Sequence, residues 1–211
     1  MIENGICCIF GAGEYHGPPP VLPHDAFVIA ADGGYSYIAR HGLRADMLVG
    51  DFDSLVEIPR HECVRVLPQE KDDTDMLAAI RAGEERGCRV FHIYGGTGGR
   101  LDHTLANIQC VAGLAGRGAR GFLHGRDTAI TAIRDGELRF PAGCSGVISV
   151  FSHSDSATGV YERGLKYPLC DATLDSRRPL GVSNEFTGEP ATVSVRSGTL
   201  VVIYPQNITE N

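Results

Sequence analysis

The sequence has no block of lysines and arginines: its 19 basic residues are scattered among 26 acidic ones, for a formal net charge of -7. Binding to a nucleic-acid backbone needs clustered cations to neutralise phosphates, so the composition argues against such a partner. There is no C-x-x-C pair and no cysteine with histidine at metal-site spacing. The seven cysteines, at positions 7, 8, 63, 88, 110, 144 and 170, read as small buried hydrophobes in a reducing compartment. The amino terminus, "MIENGICCIF", has no basic lead and no apolar run long enough for a signal or a membrane span, since "GAG" follows at once. A cytoplasmic location is the expectation. "NIT" at 207–209 fits a glycosylation acceptor but has no secretory route beside it. No low-complexity linker marks a joint between the front part of the chain and the part after about residue 135.

With 211 residues and 43% hydrophobic composition, the chain can bury the core of one good-sized domain or two small ones. Its front part repeats one rhythm, a short apolar run, then small or acidic residues, then a helix-like stretch. "GICCIF" leads to "GAGE", "AFVIAADGG" to "YSYIARHG", "VRVLPQEKDDTD" to "MLAAIRAGEERG", and "RVFHIYGGTGGRLDH" to "TLANIQCVAGLAGRG", with "ARGFLHG" as a further strand. Apolar runs of four to six residues bounded by turns predict strands covered on both faces, and this order predicts an α/β domain with a mainly parallel sheet over 1–135. From 136 to 211 short strand-like runs alternate with Gly, Pro and Asp and show no helix, which predicts a small all-β domain. Within it, "ATVSVRSGTLVVIYP" reads as a hairpin turning at "SG".

Acids follow the apolar runs of the first domain: Asp32 after "FVIAA", Asp51 and Asp53 after "MLV", Asp72, Asp73 and Asp75 after "VRVL", and Asp102 after "VFHIYGGTGGR". Ligands of open α/β sheets bind beyond the carboxyl ends of the strands, so four stretches deliver acids to one edge. Crowded carboxylates call for a cation, and oxygen-only donors suit Mg²⁺. A locally extended 51–53 would turn Asp51 and Asp53 to one side. Taken singly, each aspartate also fits a helix cap or turn.

"YGGTGGRLDH", residues 94–103, places four glycines after a strand and an arginine in the bend. Small residues let backbone N–H groups approach an anion, and Arg100 can fork onto phosphate oxygens; a turn tightened only for packing is the alternative. The spacing is neither G-x-G-x-x-G nor G-K-[ST]. "GAGEYHG" at 11–17 is a weaker candidate for a loop over a nucleotide. His103 and Asn107 share a helix face at i, i+4, and His103 fits a local hydrogen bond better than a catalytic base.

In order along the chain stand "ADGG" (31–34), "GDFDS" (50–54), "KDDTD" (71–75), "GGTGGRLDHTLAN" (95–107), "GLKYPL" (164–169) and "GVSNEF" (181–186). With this ordered set the chain resembles the thiamine pyrophosphokinases of bacterial type. The resemblance implies an enzyme that transfers the diphosphate of ATP to thiamine, releasing AMP. It also implies an α/β domain for ATP and Mg²⁺, a β-sandwich domain for thiamine, and a homodimer with sites at the subunit interface. Residue by residue it assigns the metal to Asp51, Asp53 and Asp75. ATP falls to Asp32, Gly33, Gly50, Lys71, Gly98, Gly99, Arg100 and His103, and thiamine to Asp75, Asp102, Asn107, Ser183 and Asn184. Catalysis falls to Asp51, Asp53, Asp72, Asp75, Arg100 and Asp102. The aromatic that precedes the Ser-Asn pair in eukaryotic members is absent, since "RRPLGV" stands there; Phe186 and Tyr167 are the candidates to stack on the thiamine ring. The residues alone also fit another ATP-dependent small-alcohol kinase, a non-catalytic Mg-nucleotide-sensing module, or a β-sandwich adaptor with a relic α/β domain.

Overall fold

A computed structural model describes residues 5–52, 61–68 and 72–208, so Asp53 and Lys71 lie outside the described residues. The chain divides into two compact units, Met1–Asn107 with Leu123–Gly125, and Ile108–Phe122 with Arg126–Asn211.

The first unit holds β1 (Gly5–Phe10), β2 (Phe27–Ala31), α1 (Gly34–Arg40), β3 (Met47–Gly50), β4 (Val64–Val66), α2 (Asp75–Glu85) and β5 (Cys88–Tyr94), and the start of α3 (Leu101–Gly116). Its strands run parallel in the order β5-β1-β2-β3-β4. In β1 four consecutive side chains, Cys7, Cys8, Ile9 and Phe10, are fully buried, as a strand covered on both faces requires. The Thr74 hydroxyl accepts from the Leu77 N–H (3.2 Å) and caps α2, which buries Met76, Ala79 and Ile80 and closes before Gly87 at φ +85°. Asp73 is not the cap; it pairs with Arg81 along the helix.

Gly34 shows how closely α1 sits on the sheet. A Cβ at this position would lie 1.9 Å from the Phe10 carbonyl oxygen, a backbone atom that cannot step aside. Gly34→Ala is therefore expected to cost at least about 3 kcal/mol, visible as a lowered urea midpoint. An unchanged midpoint would show that α1 lifts off the sheet freely.

The second unit contains β7 (Thr128–Arg134), β8 (Glu137–Phe140), β9 (Val147–Ser152), β10 (Ser156–Arg163), β11 (Leu169–Asp175), β12 (Gly181–Glu185), β13 (Ala191–Ser194) and β14 (Thr199–Pro205). Strand β6 (Arg120–His124) has residues in both units. In the second unit β12-β9-β14-β7 form one antiparallel run and β11-β10-β13-β8 a second sheet. Between them lies a core that includes Leu138, Phe140, Ile148, Val150, Val193, Leu200 and Val202. The second unit is thus β-rich, as the short runs foretell.

The expected hairpin at "SG" does not form, because β13 pairs with β10 and β8 while β14 pairs with β7 and β9. Residues 195–198 carry the chain from one sheet to the other. Val195 N–H donates to Gly136 (2.9 Å), Ser197 N–H to Thr158 (3.1 Å), and Gly198, at φ +117°, donates to the Asp135 carboxylate (2.8 Å). This crossing lets Val193 and Val202 both bury inward from different sheets, which adjacent strands of one hairpin would not achieve. Cysteine burial is also mixed: Cys7, Cys8, Cys88 and Cys144 are buried, but Cys170 is exposed.

Candidate functional site

The parallel strands of the first unit all end at one edge, and the predicted acids follow them there: Asp32 after β2, Asp51 after β3, Asp72 and Asp75 at the entry to α2, and Asp102 after β5. Backbone bonds lace these connections together. Asp32 N–H donates to Val49 (2.8 Å) and Leu67 N–H to Gly50 (2.9 Å). Gly50 makes a tight approach, at φ +156° with its Cβ position 3.1 Å from the Asp32 backbone. Asp32 and Phe52 both hold left-handed conformations, at φ +46° and +56°. Phe52 is 3% exposed, so a buried ring anchors the chain immediately after half-buried Asp51 in an uncommon backbone state. Gly33 forms the N-cap of α1.

The chain leaves β1 toward β2 on one side, while β5 lies on the other side of β1; this is the switch point at which open sheets bind ligands. The loops after these two strands, 11–17 and 95–100, are joined at the switch point. Gly13 N–H donates to Gly95 (2.7 Å), Glu14 N–H to Thr97 (2.9 Å), and Gly99 N–H to the Glu14 carboxylate (3.0 Å). Two of the glycines make room for side chains of the facing loop: a Cβ on Gly95 would meet the Tyr15 ring at 2.4 Å, and one on Gly98 would meet Glu14 at 2.5 Å. Gly99, at φ +59°, has open space where its Cβ would be. Tyr15 is fastened in turn, stacked on Tyr37 at 3.7 Å and donating to the Gly11 carbonyl at 2.5 Å; burial pushes its phenol above the ordinary range. Glu14 and Tyr15 are thus site-edge residues that the sequence reading did not single out within "GAGEYHG".

Arg100 forks onto Asp102 through Nε (3.2 Å) and a terminal nitrogen (2.6 Å), both residues being exposed. That bond, helped by the His103 N–H (3.0 Å), holds the Asp102 carboxyl down at about 2. A carboxylate held so low is a weak base, although the exposed pair itself adds little stability. His103 is exposed, while Asn107, one turn on, is buried and donates to the Gly96 carbonyl (2.7 Å), so it ties the glycine loop to α3.

In the second unit, β12 is bulged between Gly181 and Asn184, and Ser183 within the bulge is exposed at φ +59° with its N–H on the Ser149 hydroxyl (3.1 Å). Asn184 points inward, 4% exposed. Its Oδ1 accepts from the N–H groups of Tyr167 and Glu185 (both 2.9 Å), and its Nδ2 donates to the Tyr167 carbonyl (2.8 Å) and to Glu162 Oε2 (2.6 Å). Phe186 is committed to the core, edge-on to Phe140 at 5.0 Å, whereas the Tyr167 ring is 57% exposed, with the Lys166 ammonium 5.4 Å from its centroid on one face. Glu162 was missed, though "GVYER" places it two residues after Val160, on the buried face of a strand.

Burial pushes the Glu162 carboxyl above its ordinary 4.5, and the Asn184 bond opposes that rise in part. A group raised on folding contributes stability that is complete below its ordinary value and is lost as pH climbs through its folded value. Glu162→Gln removes this titration. The urea midpoint of the variant relative to the wild type is expected to rise as pH climbs from the ordinary carboxyl range through the raised value of Glu162, and a pH-independent difference would contradict it.

Residues 20–120 match the family model described as "Thiamin pyrophosphokinase, catalytic domain", and residues 137–200 match "Thiamin pyrophosphokinase, vitamin B1 binding domain". A thiamine pyrophosphokinase of Bacillus subtilis (strain 168) is 30% identical over 184 residues, 83% of this chain and 85% of that protein. The crystal structure of thiamine pyrophosphokinase from Bacillus subtilis superposes with a TM-score of 0.81 at 26% identity, covering 96% of this chain and 99% of the other. That of the Geobacillus thermodenitrificans thiamin pyrophosphokinase gives 0.77 at 27% identity, covering 95% and 97%.

Proposed function

The chain belongs to the thiamine pyrophosphokinase family, and from that premise we infer that it transfers the diphosphate of ATP to the hydroxyl of thiamine, giving thiamine diphosphate and AMP. The observation that carries this reading is the single carboxyl edge on which Asp32, Asp51, Asp72, Asp75 and the glycine loop with Arg100 all stand.

In the reaction the thiamine hydroxyl oxygen attacks the β-phosphorus. The bond from that phosphorus to the oxygen shared with the α-phosphorus breaks, AMP leaves with that oxygen, and the hydroxyl proton is given up. Positioning and charge neutralisation carry such transfers. Asp51, Asp53 and Asp75 are the residues that would hold Mg²⁺, with Asp72 and Lys71 alongside. Among the described residues no three His, Cys, Asp or Glu side chains stand close enough to enclose a metal ion. A donor set of one or two carboxylates fits Mg²⁺, which completes its shell with water and substrate phosphate. When bound, Mg²⁺ supplies neutralisation of charge on the phosphate oxygens. Arg100 reaches phosphate by exchanging the Asp102 carboxylate for it, a swap of similar charge-assisted bonds. The hydroxyl proton goes to one of the two carboxylates considered as base, Asp72 or Asp102, and Asp102 becomes the stronger base once Arg100 has turned to phosphate.

Ser183 and the turn at Tyr167 form the thiamine side, from the β domain over 136–211, and the positive thiazolium suits an acidic edge. The working assembly is a homodimer in which this side of one subunit faces the acids of its partner, since a β domain this small gains core by packing on a second surface. The protein works in the cytoplasm; no helix among the described residues is long and apolar enough to cross a membrane. The test is incubation with ATP, Mg²⁺ and a panel of small alcohols. AMP and thiamine diphosphate should appear with thiamine alone; ADP would mark a γ-phosphate kinase, and absence of turnover a nucleotide-sensing module.

A further inference from the structure

Glu162 stands on β10 with none of its surface exposed, inside a sandwich core built of Val, Leu, Ile and Phe. Its Oε2 accepts from Asn184, yet its Oε1 is buried with no hydrogen-bond partner. An orphaned buried carboxyl oxygen costs free energy that the one bond to Asn184 has to offset, so packing alone does not account for a glutamate here. The space beside it is kept by Gly181, whose Cβ would lie 3.3 Å from that Oε1 and 2.4 Å from the Val150 carbonyl.

The Glu162 bond reinforces the orientation that the backbone groups around the Asn184 amide favour and holds the amide from the side that they leave open. With Nδ2 drawn to the carboxyl, Oδ1 faces the N–H groups of Tyr167 and Glu185, and the second Nδ2 hydrogen faces the Tyr167 carbonyl. Asn184 therefore grips both backbone polar groups of Tyr167 and spends all its own bonding within the unit. What it leaves presented are the exposed Tyr167 ring and, one residue away in the bulge, Ser183. We propose that Glu162 is a positioning residue for the thiamine subsite, fixing the Asn184 amide and through it the turn that carries Tyr167. This rests on the assignment of thiamine to the Ser183 and Tyr167 surface.

The experiment compares wild type, Glu162→Met and Glu162→Gln in steady-state assays with thiamine and ATP varied separately, alongside urea melts. Met fills the volume without a polar atom, which removes the orphaned Oε1 but leaves one Nδ2 hydrogen of Asn184 without its acceptor, so E162M is expected to stay folded with a urea midpoint close to that of wild type. Its KM for thiamine should nevertheless rise about tenfold, with kcat and the KM for ATP within about twofold, because a ground-state contact to one substrate is being misplaced. E162Q, which still offers an oxygen to Nδ2, should restore the thiamine KM. A purely structural role predicts no change in the thiamine KM of a stable E162M, and that result would overturn the proposal, as would an equal rise in both KM values. If E162M does not fold, Glu162→Asp, one methylene short of the amide, is judged by the same criteria. Failure of the wild type to turn over thiamine would instead overturn the functional reading on which the proposal rests.

Discussion

Asp51→Asn is expected to lower kcat by roughly 10²-fold or more while leaving the thermal melt unchanged. The change is nearly isosteric at a half-buried position, and the ring of Phe52 next to it, buried in the core of the first unit, continues to hold the chain. What is removed is a full negative charge at the edge where Mg²⁺ and polyphosphate are proposed to sit, and the loss of a charge partner felt in the transition state commonly costs several kcal/mol. Measuring kcat at saturating ATP and thiamine over a Mg²⁺ series checks it. Turnover like that of wild type at limiting Mg²⁺ would remove Asp51 from the metal set.

Mixing two impaired variants is expected to return, at thiamine concentrations well below saturation, activity that neither has alone. Asp51→Ala damages the acidic edge and Asn184→Ala releases the Tyr167 turn; if each site draws these from different subunits, a mixed dimer holds one site with both lesions and one with neither. Recovery reaches at most about half of the sites in each heterodimer, by the closed symmetry of a pair. Sedimentation should first show about twice the 22.6 kDa chain mass. Subunit exchange demonstrated by mass spectrometry without regained activity would mean that each site is built within one subunit.

The acids were legible in the sequence because a parallel strand ends in a definite direction, so that an apolar run followed by Asp32 or Asp51 fixes which edge the carboxylate reaches. The glycine loop was legible as a loop but not in its particulars. Gly95 and Gly98 accommodate Tyr15 and Glu14, and the Glu14 bond to Gly99 spans 85 positions, bridged only because β1 and β5 are neighbours. No local pattern encodes that adjacency. The same holds for β13 and β14, whose alternation is that of a hairpin whether the following strand stays in its sheet or crosses to the other. Asn184 was found through its motif, but its role as a clamp depends on Glu162, contributed from 22 positions away on β10.

A diphosphate that moves intact from ATP to thiamine leaves a distinct trace with position-labelled ATP. With Mg²⁺ and thiamine present, label placed at the β-phosphorus and label placed at the γ-phosphorus should both appear in thiamine diphosphate, while label at the α-phosphorus stays in AMP. Transfer of the γ label alone, with the β label retained in ADP, would show that the protein is a γ-phosphate kinase and not a diphosphotransferase.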